Sequence, residues 1–194
     1  MNHVRRAGVV LGLLTSLTGA SVSGGEGPGP FVISDTGVAK AVIVVDAKAE
    51  AARWTRAREG KYNAHPLWLP KIPEGAGGFT PAEELARHLK QITGGEFEIR
   101  PAPPLGPHIL LGTGKDFPDL ARQERLDELG SDGFVIRSSP QRLVVLGAGD
   151  FGLQNAVFHL LNQIGCRWLI PHPDWIVIPN SPSLSAALEV RRRP

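Results

Sequence analysis

Gly147, Gly149 and Gly152 stand in a formal G-x-G-x-x-G between a strand pattern and a helix pattern. Such a turn can seat a pyrophosphate on a helix N-terminus when an acidic residue closes the next strand and holds the ribose. The next strand-like run here, 166–170, ends at Pro171 without an Asp or Glu, and Asp174 follows only after that break. The turn also comes after most of the strand-like runs, whereas a dinucleotide fold opens with it. The glycines therefore read as backbone requirements, a tight turn and close packing. A second hint, Gly112-Thr-Gly-Lys115, lacks the first glycine of a phosphate loop and carries Asp116 where that loop needs Ser or Thr.

The remaining reactive residue types form no constellation. His3, His65, His88, His108, His159 and His172 show no metal-ligand spacing and no H-E-x-x-H. There is no G-x-S-x-G elbow. Glu83 reads as a helix-capping residue, and Glu84, Glu96 and Glu98 as solvated positions, so no acid is singled out as a proton donor or nucleophile. Cys166, the only cysteine, lies beside Trp168 and Leu169 and reads as a buried structural thiol. The expectation is no catalytic residue, no cofactor and no metal in this chain.

The N-terminus reads as an address. Arg5 and Arg6 precede a short apolar run, and Ser21 and Ser23 stand at small-residue cleavage positions, the pattern of a secretory signal peptide over residues 1–23. The expected location is secreted or periplasmic, with no membrane association after cleavage. Cleavage would remove two of the 21 Lys and Arg and none of the 19 Asp and Glu. The formal charge of +2 then becomes zero, which argues against a nucleic-acid partner. With one cysteine, an exported chain can form no internal disulfide and must rely on a packed core.

The elements that would position any site read as follows. Residues 24–38 form a flexible leader and 41–45 a buried strand. A helix spans 47–58, and a Pro- and Gly-rich loop carrying Tyr62, His65 and Trp68 spans 60–79. Thr80-Pro-Ala-Glu83 is a capping box that opens a helix, with Leu85, Leu89 and Ile92 on one face and Gly94-Gly95 as the stop. Strands follow at 97–100 and 109–111, then an amphipathic helix over 116–129. A hairpin pairs 133–137 with 142–146. A helix over 152–164 buries Leu153, Ala156, Val157, Leu160, Leu161 and Ile164. Short strand-like runs at 166–170 and 175–178 complete a domain over 39–179, and 180–194 reads as a linker with Arg191, Arg192 and Arg193 solvated. The fold class is α/β (α+β), a two-layer sandwich of a mixed sheet with helices mainly on one face, because the hairpin demands an antiparallel pair.

These motifs in order carry a resemblance. E-E-L-A-R-H-L-K-Q-I-T-G-G at 83–95 is followed by I-L-L-G at 109–112 and D-G-F-V-I-R at 132–137. L-V-V-L-G at 143–147 and G-L-Q-N-A-V-F-H-L-L-N-Q-I-G-C-R-W at 152–168 lead to a proline-rich exit. The chain over 39–194 resembles the N-terminal domain of family 67 α-glucuronidases and the matching domain of secreted glycoside-hydrolase-like proteins. It is also similar to the accessory domain that precedes the barrel in β-hexosaminidases. The closing L-E-V-R-R-R-P resembles the junction into a (β/α)8 catalytic barrel. The resemblance implies that the catalytic carboxylates sit in the barrel, which this chain lacks. It implies a partner barrel, in cis or in a homologous protein, and a loop lent to the substrate cleft by Arg167, Trp168, His172 and Trp175. The alternative for both tryptophans is core packing at a strand end. The expected function is a non-catalytic accessory domain of an exported carbohydrate-active protein, cut before its barrel. Two alternatives stand beside it: a free-standing oligosaccharide-binding module using Trp54, Tyr62, Trp68 and Trp175, and a nucleotide-binding oxidoreductase fragment.

Overall fold

Local rules set most elements of the computed structural model, which describes residues 29–59, 78–169 and 176–193. Asp46 accepts a hydrogen bond from the Ala49 amide at 2.8 Å and so caps α1 (Ala47–Arg58). The capping box of α2 (Pro81–Thr93) is complete. The Glu83 amide donates to Thr80 Oγ1 at 3.2 Å, and the Thr80 amide donates to Glu83 Oε2 at 2.9 Å. Gly94 ends the helix in the left-handed region at φ 83°.

The main sheet has six strands in the order β11-β6-β7-β5-β3-β4. These are β3 (Val42–Val44), β4 (Ile99–Arg100), β5 (His108–Thr113), β6 (Phe134–Ser138), β7 (Arg142–Gly147) and β11 (Glu189–Arg192). β3, β4, β5 and β7 run parallel, β6 pairs antiparallel with β7 through the hairpin, and β11 pairs antiparallel with β6. Successive side chains alternate faces, and β7 shows the consequence. Leu143 and Val145 join the core under α2 and α4 (Asp150–Gln163), while Val144 and Leu146 face the opposite side. There α3 (Pro118–Gln123) and a 3₁₀ turn at Leu126–Leu129 cover them with Leu126 and Leu129. The α+β sandwich with a mixed sheet is as expected from the hairpin and the helix stripes. Among the described residues no helix is long and apolar enough to cross a membrane.

Four expectations need correction. The leader ends early, because Phe31–Asp35 form β1, with Phe31 and Ile33 fully buried. The stretch read as a linker supplies β10 (Leu184–Ala186), which pairs with β1, and β11. β10, β1 and β2 (Val38–Ala39) form a second, three-stranded sheet, whereas β11 extends the main one. Partners so distant in sequence leave no local signal. The helix over 116–129 breaks at Arg125, which adopts φ 49° and lets Leu126 and Leu129 turn onto β6 and β7. The strand over 97–100 contracts to Ile99–Arg100, with Phe97 buried just before it.

Candidate functional site

Parallel strands β3, β5 and β7 end at one edge of the sheet, the edge where open α/β sheets commonly hold ligands. α1 crosses this edge, and the N-termini of α2 and α4 meet it. Arg53 of α1 is only 3% exposed and reaches the loop after β5 and the first residue of α4. One guanidinium nitrogen lies 2.5 Å from Asp116 Oδ2, and Nε lies 3.1 Å from Asp150 Oδ1. Glu50 Oε2 is 3.9 Å from Nη1. Arg56 adds a second contact to Asp150 at 2.7 Å. Asp116 also accepts the Thr113 amide at 2.7 Å. Glu50 accepts a short hydrogen bond from Thr80 Oγ1. Burial pushes the Glu50 carboxyl above its ordinary value, opposed by the Thr80 hydrogen bond and by Arg53. The edge is therefore filled by its own ions.

The two glycine motifs resolve on the same ground. A Cβ on Gly152 would sit 2.3 Å from the Gly133 carbonyl oxygen, and one on Gly147 would sit 2.0 Å from the Leu153 amide. The Ala148 amide donates to Gly133 O at 2.8 Å. These glycines let the start of β6 touch the first turn of α4, a packing requirement. At Gly112 a Cβ would lie 2.6 Å from the Phe117 ring and 2.9 Å from Asp116 Oδ2, so the loop that hinted at phosphate holds a carboxylate of the chain itself.

The residues expected to face a substrate divide. Arg167 and Trp168 form β8 (Arg167–Trp168), which pairs antiparallel with β9 (Ile176–Val177), at the far end of α4 from Asp150. Arg167 Nη1 donates to the carbonyls of Asn162 and Cys166 at 2.5 and 2.7 Å, satisfying the end of α4. Trp168 is half-buried, edge-on to Phe158 at 5.1 Å and 5.8 Å from the His88 ring. Trp168 thus packs in part against the core. His172 and Trp175 lie outside the described residues, as do Tyr62, His65 and Trp68.

A family model described as glycosyl hydrolase family 67 N-terminus matches residues 57–160, more than half of the chain. The chain belongs to that family. The match runs from the end of α1 to the third turn of α4 and so takes in α2, the hairpin and the glycine turn. No curated protein matches the chain. As a family 67 N-terminal domain it is an accessory domain of a glycoside hydrolase, whose catalytic partner domain is in cis.

Two histidines of this family 67 domain, His88 and His159, are packing groups. His88 is fully buried, its Nδ1 3.0 Å from the Glu84 carbonyl oxygen, and burial lowers its proton affinity. His159 packs 5.4 Å from the Phe134 ring, and burial and Arg192 lower it too. Cys166 is buried and its thiol is pushed up by burial, in keeping with a structural role. Among the described residues no group of His, Cys, Asp and Glu could hold a metal ion.

Two residues went unrecognised by sequence reasoning. Arg53 is one of four cations in a polar helix, and its only local sign is Glu50 three positions earlier. Arg191 belongs to the run read as solvated. Instead it donates to the Glu124 and Arg125 carbonyls and pairs with Glu128 at 3.1 Å, bracing the turn that follows α3.

Proposed function

We propose that this family 67 N-terminal domain is an exported, non-catalytic module that packs against a (β/α)8 catalytic barrel and borders its substrate cleft with residues 167–175. The family match carries the accessory part of this reading, and the basic, apolar and small-residue pattern over 1–23 motivates the export. The accessory part is supported by the carboxyl edge of the sheet, where Arg53 and Arg56 engage the acids Glu50, Asp116 and Asp150 in structural pairs. Arg167 and Trp168 anchor the base of the 167–175 stretch on α4 and α2.

The deciding experiment assays the purified chain against aryl-glycosides and glucuronoxylan oligosaccharides. The expected result is no turnover above buffer, and robust hydrolysis by this chain alone would overturn the reading. Export is tested by fractionating producing cells and sequencing the mature N-terminus. The expected start is Gly24, and a cytosolic product that keeps residues 1–23 would refute the address.

A further inference from the structure

The C-terminal half of α1 and the first turns of α2, with Phe79 before them, carry a surface that the accessory role leaves unused. Trp54 is 50% exposed and Phe79 is 51% exposed. Each ring has one guanidinium over it: Arg58 lies 4.9 Å from the Trp54 ring centre, and Arg87 lies 5.3 Å from that of Phe79. Each guanidinium is in turn held by a carboxylate fork. Arg58 meets Glu83 at 2.7 and 3.1 Å, and Arg87 meets Glu84 at 2.8 and 3.3 Å. Arg58 also donates to the Gly78 carbonyl at 2.5 Å, and the Gly78 amide donates to Ala57 O at 3.0 Å. These bonds tie the backbone beside Phe79 to the helix that bears Trp54.

We propose that this strip, with Trp54 and Phe79 as stacking platforms and the Arg58–Glu83 and Arg87–Glu84 forks as its polar rim, binds a neutral oligosaccharide. A pyranose ring has an apolar C–H face and a rim of hydroxyls that both donate and accept. Aromatic rings complement the face, and a guanidinium–carboxylate fork supplies donors and acceptors for the rim. The four charged groups sum to zero, so the strip selects no strongly charged partner. The stacks and forks hold the rings in place before the ligand arrives, which lowers the ordering cost of binding. A protein-docking core is depleted of charged groups, whereas here a guanidinium lies over each ring.

The choice of sugar as ligand rests on the accessory reading above, but the two fail separately: hydrolysis sinks that reading, and lack of binding sinks this one. The whole chain is titrated calorimetrically with xylohexaose and with cellohexaose, and run by affinity electrophoresis in gels containing glucuronoxylan. Saturable binding to at least one of the three is expected. W54A and F79A should each weaken it by about tenfold or more, and W54F should restore part of the loss. Circular dichroism confirms that the variants keep the fold. No saturable binding up to about 10 mM sugar, or binding unchanged in both alanine variants, would overturn the proposal. A dimer that W54A and F79A abolish, in a chain that binds none of the three sugars, would overturn it as well and mark the strip as a protein contact.

Discussion

Replacing Arg53 by Met should destabilise the domain more than any other single charge removal at the carboxyl edge. Arg53 and Asp116 are 3% and 6% exposed and touch at 2.5 Å. At an effective dielectric near 20 and a charge separation of about 4 Å, their attraction is on the order of 4 kcal/mol. R53M removes that attraction and strands the Asp116 carboxylate in a dry site, for which about 3–5 kcal/mol is the expected cost. In a domain of this size that lowers Tm by roughly 10 °C. The assay is urea unfolding followed by circular dichroism, at low salt and at 1 M NaCl. Salt should change the loss little, since buried pairs are weakly screened. D116N in the R53M background should recover about 2 kcal/mol, because the amide still accepts the Thr113 N–H without leaving a charge behind. R56M, which breaks a half-exposed pair with Asp150, should cost under about 1 kcal/mol. A loss below about 1 kcal/mol for R53M, or a D116N change that deepens it, would refute the network as the support of this edge.

Three further outcomes follow from the same geometry. G152A forces a methyl group to 2.3 Å from the Gly133 carbonyl and should cost about 1–3 kcal/mol or more in urea unfolding; G149A, whose Cβ would lie 3.0 Å from Ser131 O, should cost less. His88 binds its proton less readily folded than unfolded, so the unfolded state gains protons first as pH falls below about 6.5. Stability should hold above that pH and decline below it, with a slope of at most about 1.4 kcal/mol per pH unit, and H88F should flatten the profile between pH 7 and pH 5. Cys166 should resist a thiol reagent such as DTNB at pH 8 and react fully in denaturant, since burial both shields the thiol and raises its pKa.

The elements that were legible share one property: their signals lie within one helical turn or one hairpin. α1 runs over the expected 47–58, and Thr80, Pro81 and Glu83 start α2 as a capping box should. Leu153, Ala156, Val157, Leu160 and Leu161 are all buried, as their spacing implied. The elements missed depend on distant partners. Ser34 Oγ donates to Pro182 O across 148 residues, and nothing near Ser34 announces it. Phe31 and Ile33 alternate like a strand for too few residues to outweigh the glycine- and proline-rich stretch before them. Arg125 reads as helix in a helical window, and only the pull of Leu126 and Leu129 toward Val135, Val144 and Leu146 accounts for the break.

The candidate site divides along the same line. Sequence alone sufficed to place the chain beside family 67 N-terminal domains, to doubt the glycine turn as a cofactor site, and to predict a mixed sheet with helices over it. Those conclusions rest on residue types at fixed short spacings, where the covalent chain itself holds the partners together. Tertiary structure alone decided that Arg53 seals the carboxyl edge, that Gly152 exists to let Gly133 approach, and that Arg191 braces a turn. Each of those contacts joins residues 19 to 97 positions apart. Closing such loops costs entropy that only the finished core repays, so the pairing exists in the folded molecule and leaves no local mark in the chain.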